Sequence, residues 1–424
     1  MSEKDAVPTA VKAPHPGLGP VAPQERIEVI DILRGWAIFG MIFVNMSVDL
    51  GSQGTTDRVA KHLVDFFASG KFSSVFSFLF GLGFALQMRR AEAGSGRFIP
   101  VYLRRMAILL LIGLLQQLLV GWTILDIYAV LGFVLLPFCS RSTRALALVA
   151  LSCLLINPIR SAVVEGVYYL RVSNPQTAER ASLEAAQREE QRRAQRQQSL
   201  RIHTHGTFRQ IVAEHEQGMT AVYFSVDTYL RWLGSTFPLF LLGLYVGRRR
   251  IFENLSENLY FIRKVMWWGL GVGLVCTSAY YAVSQTSNPA LPYLARPLAT
   301  LLRAIGAPAL GFCYAVGIIF LAQRDTWKTR LAPLGLLGRM ALTNYLFHAL
   351  VYSLVYNGYG LGLYERVGTL GGLALAALIF PLQVILSAFW MRRFRFGPVE
   401  WLWRTLTYGK LQPMRVQQPV AVNA

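Results

Sequence analysis

The chain of 424 residues is 54% hydrophobic and only 15% charged, with a mean hydropathy of +0.39. A soluble chain of this length carries about 25% charged residues, so an ordinary soluble enzyme is excluded. The formal net charge of +19 signals either a polyanionic partner or a membrane orientation, and the positions of the basic residues decide between them.

Residues 1–28 are rich in Pro, Ala and Gly and read as a disordered cytoplasmic leader without a cleavable signal peptide. A membrane-crossing helix needs about 20 apolar residues. Such runs occur at 29–48, 72–88, 104–121, 124–139, 145–168, 232–247, 265–284, 298–322, 333–356 and 367–391. The third and fourth meet at Gly121-Trp122-Thr123, tight enough for a membrane hairpin. The alternation of a β-barrel is missing. The fold class is therefore all-α, a polytopic helical membrane protein of about ten transmembrane helices. Helices one to five fall in 29–170, helices six to ten in 231–391, and a Trp/Arg-rich interfacial tail in 392–424.

Between the halves lies an extracytoplasmic insertion, 171–230. Its Ala/Glu/Gln/Arg tract opens at Asn174-Pro175, a good helix start, and predicts a solvated helix. From Phe208 an apolar residue recurs every three or four positions (Ile211, Val212, His215, Met219, Val222, Val226), which predicts an amphipathic helix at the outer interface.

Alternating the loops from an inside N-terminus, the segments 89–105, 141–144, 248–264, 324–339 and 392–415 hold 22 Lys and Arg against 5 acids. The loops 49–71, 285–297 and 357–366 hold 5. The asymmetry places both termini in the cytoplasm, as expected of a multi-pass inner-membrane protein. The charge then needs no nucleic acid, and the partner it implies is membrane lipid. Cys139, Cys153, Cys276 and Cys313 lie singly in or beside apolar spans and read as packing residues.

Polar groups inside spans are costly unless paired or functional. In the first span Asp31 and Arg34, three apart, form a local pair near the cytoplasmic side. Asn45 lies about 16 Å further along the axis. Of the six histidines, His15 is in the leader and His203, His205 and His215 are in the insertion. His203-x-His205 has no third ligand nearby, so no metal site is expected. His62 sits in the first outer loop. His348 falls about 22 Å along a straight ninth span, past the midplane, with Asn344 one turn earlier on the same face and Asp126 at comparable depth. Arg303, just inside the eighth span, either snorkels outward or binds an anion. Gln116, Gln117 and Gln383 read as interhelical glue, and Glu400 and Arg404 as a local salt bridge on the C-terminal anchor.

The run from Arg26 to Asn45, the run Lys71-Phe72-Ser-Ser-Val-Phe76 through Phe84, and Arg104-Arg105 resemble the YeiB-like family of bacterial membrane proteins. So do Gly338-Arg339-Met-Ala-Leu-Thr343-Asn344-Tyr345-Leu-Phe-His348 and Gly397-Pro398-Val-Glu400-Trp401-Leu-Trp403-Arg404 through Pro413. That family usually has Gly-Asp-Ile-Leu after the third span; here Thr123 stands in the Asp position and Asp126 follows three residues later. The first span is also similar to two acyltransferase groups. Acyltransferase-3 proteins open with Asp-x-Leu-Arg, matched by Asp31 to Arg34, with a His where this chain has Asn45. The heparan glucosaminide N-acetyltransferase family shows Arg-Gly and Val-Asn pairs, matched by Arg34-Gly35 and Val44-Asn45, and a catalytic His in the first outer loop, where His62 lies at different spacing.

The acyltransferase resemblance implies transfer from cytoplasmic acyl-CoA to an extracytoplasmic glycan, lipid or small molecule, with no tightly bound cofactor. Asp31, Arg34, Asn45 and Arg303 would contact substrates. His348 would act as base with Asn344 and Asp126 in support, and His62 is the other candidate. Such a site needs a polar crevice joining Arg34 to His348. Two other readings stay open: a transporter or lipid exporter using the same Asp, Arg and His, and a scaffold whose insertion binds a partner.

Overall fold

The computed structural model of the chain describes residues 27–47, 54–93, 98–285, 295–364 and 366–416. The expected leader falls almost wholly outside them, with His15. Among the described residues the secondary structure is helical apart from one isolated bridge, Phe394 to Arg415.

Eight helical stretches are long and apolar enough to cross a membrane. They are α1 (Glu28–Met46), α3 (Lys71–Ala93) with the preceding α2 (Thr55–Phe67), α4 (Phe98–Val120) and α6 (Thr143–Ser173). The others are α9 (Val226–Ser235) running into α10 (Phe237–Arg248), α11 (Leu259–Gln285), α12 (Ala295–Ala322) and α15 (Thr369–Arg393). Their exposed residues, such as Leu148, Leu151 and Ile159 on α6 or Trp268 and Val275 on α11, are large and apolar. Such a surface suits hydrocarbon and not water, and the chain is a multi-pass helical membrane protein.

Two of the expected spans depart from that length. The fourth is a short helix, α5 (Leu125–Leu135), closed by a 3-10 turn to Phe138. The ninth breaks at Met340 into α13 (Asp325–Arg339) and α14 (Ala341–Tyr356). The expectation of one straight helix over 333–356 is therefore corrected. His348 is seven residues into α14, near its middle, and not about 22 Å along an unbroken span.

The hub is α1, most of which is buried, while α6 and α11 present nearly all of their apolar surface outward. Close approach of α13 to α1 sets the geometry. A Cβ on Gly338 would stand 1.9 Å from the Asp31 carbonyl oxygen, and one on Gly35 2.0 Å from that of Leu334. Only glycine lets the two backbones meet.

The break at Met340 frees backbone groups that hydrocarbon cannot solvate. The last helix, α16 (Pro398–Tyr408), satisfies some of them. Glu400 is buried and takes hydrogen bonds from the Thr343 N–H, at 2.9 Å, and from the Thr343 hydroxyl. The carboxylate thus caps α14, and the Arg404 guanidinium lies 4.8 Å over the Phe396 ring. Trp403 donates its indole N–H to the Arg105 carbonyl at 3.0 Å, and Gly409 ends α16 at φ +66°, the left-handed position that glycine fills without strain. Burial holds the Glu400 carboxyl above its ordinary value of 4.5, so a neutral acceptor should serve as well. Glu400→Gln should keep the thermal stability of the purified protein, while Glu400→Ala should lower it by about 1–2 kcal/mol, as loss of a helix cap does; thermal unfolding in detergent reads the difference.

Candidate functional site

Asp31 and Arg34 pair as expected, with Nη1 to Oδ1 at 2.9 Å. Part of the guanidinium stays open: 32% of the Arg34 side chain is exposed. It faces α3 at Gly83, where a Cβ would stand 3.7 Å from Nη2. Arg105 of α4 lies within Coulombic range of Arg34 and stacks over the Trp403 ring at 4.1 Å. Two cations from α1 and α4 therefore share one end of the bundle. Arg105 stood in the sequence only as half of the Arg104-Arg105 pair, and its partner Trp403 lies 298 residues away.

His348 is fully buried, 0% exposed. Its Nε2 lies 2.6 Å from Oε1 of Gln383 on α15, whose Nε2 donates to the Asn344 carbonyl at 3.1 Å. A carbonyl only accepts, so Gln383 must turn its NH2 to Asn344 and its oxygen to the imidazole. His348 therefore carries its proton on Nε2, and Nδ1 keeps a bare lone pair with no hydrogen-bond partner among the described residues. The Asn344 amide is occupied: it donates to the carbonyls of Leu337 and Met340, at 3.3 and 3.0 Å, and to the Ser387 hydroxyl at 3.0 Å. It seals the end of α13 and reaches His348 only through Gln383. Gln383 thus links helices as expected, but as the residue that fixes the tautomer.

Asp126 takes a different partner from the one expected. Its carboxylate accepts from the Tyr223 hydroxyl and from the Ile127 N–H at 2.7 Å. Thr123 explains the departure from the family pattern. Its hydroxyl accepts from the Leu125 N–H at 3.0 Å and donates to the Gln116 side-chain oxygen at 3.0 Å, so it ties the turn before α5 to α4. Tyr223 belongs to α8 (Phe208–Tyr223), which follows α7 (Pro175–His205). The start of α7 is as predicted, with the Asn174 side chain accepting from the Gln176 N–H. The amphipathic face of α8, however, docks on the α4–α5 hairpin. His215 is buried there, with Nδ1 3.0 Å from the Leu118 carbonyl, and the His203 carbonyl accepts from the Gly358 N–H between α14 and α15 at 2.7 Å. The insertion caps this end of the bundle.

The remaining candidates stand apart. Asn45 is half-buried near the end of α1 and makes no hydrogen bond among the described residues. His62 is exposed on α2, its ring edge-on to Tyr281 at 5.3 Å. Arg303 donates to the Tyr280 hydroxyl at 3.2 Å. Among the described residues no hydrogen bond or ion pair links His348 to Asp126, His62 or Arg34. The stretch of α1 between Arg34 and Asn45 is filled by aromatic contacts, Trp36 on Phe72 at 4.6 Å and Phe39 on Phe380 at 4.8 Å. Aromatic rings therefore stand on the α1 side between Arg34 and His348.

The chain is 32% identical over 423 residues to the uncharacterised protein YxaH of Bacillus subtilis, covering 94% of this chain and 98% of that one. Residues 246–410 match the family model described as "Protein of unknown function (DUF418)". The chain belongs to the YeiB-like DUF418 family. It is also 26% identical over 415 residues to an uncharacterised 39.9 kDa protein from the amylase 3' region of Bacillus acidopullulyticus, covering 95% and 99%. A 118-residue stretch, 28% of each chain, is 37% identical to the uncharacterised YeiB of Escherichia coli. Residues 26–182 match the model "Heparan-alpha-glucosaminide N-acetyltransferase, catalytic". No solved structure matches. The acyltransferase match contains Asp31, Arg34, Asn45, His62 and Asp126, while the DUF418 match contains Arg303, Asn344 and His348.

The insertion's seat on the bundle carries a pH dependence. Burial holds the His215 imidazole below its ordinary value of 6.5, with the His203 ring beside it acting in the same direction and the Leu118 carbonyl and Glu214 opposing. The folded form therefore binds fewer protons than the unfolded form, so this contribution is full above about pH 6.5 and falls as the pH drops below it. Hydrogen exchange of α8 should quicken between pH 7.5 and 5.5 in the wild type, after correction for intrinsic exchange, and much less so in His215→Gln.

Proposed function

We propose that this DUF418 protein is a transmembrane acyltransferase that moves an acyl group from cytoplasmic acyl-CoA to a hydroxyl or amine of an extracytoplasmic glycan, lipid or small molecule. The observation that carries the reading is the match of residues 26–182 to the catalytic domain of an N-acetyltransferase. In this reading the chain crosses the inner membrane ten times, with α5 and α14 as the two short crossings. The 22 basic residues of one set of loops against 5 of the other support a cytoplasmic side for both termini.

Arg34 and Arg105, at the cytoplasmic end, suit the phosphates of the donor. The bare Nδ1 of His348 suits the base. It takes the proton of the acceptor O–H or N–H as the acceptor attacks the thioester carbonyl; the new acyl bond forms, the C–S bond breaks and CoA leaves as its thiol with that proton. Gln383 holds the ring in the required tautomer. His348 lies sealed between α14 and α15, so substrates reach it only when these helices part.

The break at Met340 bears on the transporter reading. A broken helix favours transport when its free ends are left to bind substrate or ions near the midplane. Here Glu400 and Asn344 occupy them, which favours acyl transfer.

Purified protein in nanodiscs, given acyl-CoA and extracts of envelope glycan or lipid, should release free CoA thiol. Arg34→Gln should raise KM for acyl-CoA, and His348→Ala should lower kcat by at least about 100-fold. A wild type that neither binds nor turns over acyl-CoA would overturn the reading, and full activity in His348→Ala would remove His348 as the base.

A further inference from the structure

A second pair of cations lies at the far end of the bundle from Arg34, where α2 turns into α3. Lys71 is 2% exposed. Its ammonium donates to the Asp65 backbone carbonyl at 3.0 Å, one bond for a group with three donors. The Asp65 carboxylate turns elsewhere, taking Lys61 at 3.0 Å and the Ser69 hydroxyl at 2.9 Å. Arg303 of α12 stands within Coulombic range of Lys71. The helices that wall this corner, α11 and α12, contain no Asp or Glu. The Asp65 carboxylate is also within Coulombic range of Lys71 but is shared with Lys61 and Ser69, and neither Lys71 nor Arg303 has a carboxylate bonded to it among the described residues.

The neighbouring hydroxyls point the same way. Tyr280 of α11 accepts from Arg303. On the same helix the Thr277 Oγ1 and the Tyr281 hydroxyl are buried and have no hydrogen-bond partner among the described residues. The elements at this corner thus carry a buried ammonium, an exposed guanidinium and two buried hydroxyls without a partner among the described residues. The start of α3 packs on α12, where a Cβ on Gly311 would stand 2.5 Å from the Lys71 carbonyl oxygen, and like charges gathered at such a seam repel unless an anion joins them.

We infer that the corner between α2, α3, α11 and α12 is a binding site for a phosphate oxyanion, borne by a lipid head group or by a free phosphorylated molecule. Lys71 and Arg303 supply the charge, and the Thr277 and Tyr281 hydroxyls supply neutral donors. Lys71 lies in the acyltransferase match and Arg303 in the DUF418 match, so the site joins the two parts of the chain. It stands independently of the acyl-transfer reading.

The test is thermal unfolding of the full chain in two arms. In the lipid arm, nanodiscs of phosphatidylcholine are compared with nanodiscs containing phosphatidylglycerol. In the soluble arm, inorganic phosphate is titrated against chloride at fixed ionic strength. The wild type should gain a few degrees in Tm in at least one arm, the lipid arm alone identifying a head group and the phosphate arm a soluble ligand. Lys71→Met and Arg303→Gln should each lose at least half of that gain. Lys71→Met should also be no less stable than the wild type without the anion, since it removes a buried charge of the same length. No gain in either arm, or an equal gain in the wild type and both variants, would overturn the proposal.

Discussion

The carboxylate of Glu400 at the start of α14 is the contact on which the rest of the arrangement depends. Hydrocarbon solvates no backbone, so a membrane helix can break only where the protein supplies the lost hydrogen bonds. At Met340 it does so from two directions: Glu400 takes the Thr343 N–H, and Asn344 takes the carbonyls of Leu337 and Met340. That freedom lets α13 follow its own course against α1 at Gly35 and Gly338 while α14 turns to meet α15. The polar row of Asn344, Gln383 and His348 exists because the break permits that turn.

From this junction the molecule is organised in levels along α1. One end gathers Arg34, Arg105 and the aromatic residues of α16. The middle is aromatic on the α1 side, with the imidazole–amide network on the α14–α15 side. The other end holds the Lys71–Arg303 corner and, over the α4–α5 hairpin, the docked α8. The tail and the insertion thus hold opposite ends of the bundle: Trp403 ties α16 to α4, and Tyr223 and His215 tie α8 to α5 and α4.

Much of this was legible in the sequence, for physical reasons that vary by element. The bilayer imposes a length on every crossing, so apolar runs locate the helices, and even the short α5 showed as a run after Gly121-Trp122-Thr123. Asp31 and Arg34 were legible as a pair because helical spacing alone brings them together. The kink at Met340 was not, because apolar residues continue on both sides and its cause, Glu400, lies 57 residues from Thr343. For the same reason Asn344 looked available while its amide was committed to carbonyls. The stripe of α8 was readable, but an apolar stripe does not say whether lipid or protein covers it. Lys71 passed for the end of a loop because burial is a property of the packed corner and not of the residue type.

The polar row in the middle has a consequence for energy coupling. Hydrogen bonds run from the Asn344 carbonyl through Gln383 to the His348 ring, and there they stop at a lone pair with no partner among the described residues. A row of polar groups inside a bilayer invites protons to hop along it. This one is a dead end. The amide of Gln383 cannot relay a proton as water would, and the imidazole has no second partner to pass one to. This arrangement can therefore hold the Nδ1 lone pair of His348 in the interior of a membrane without opening a path for protons along the row.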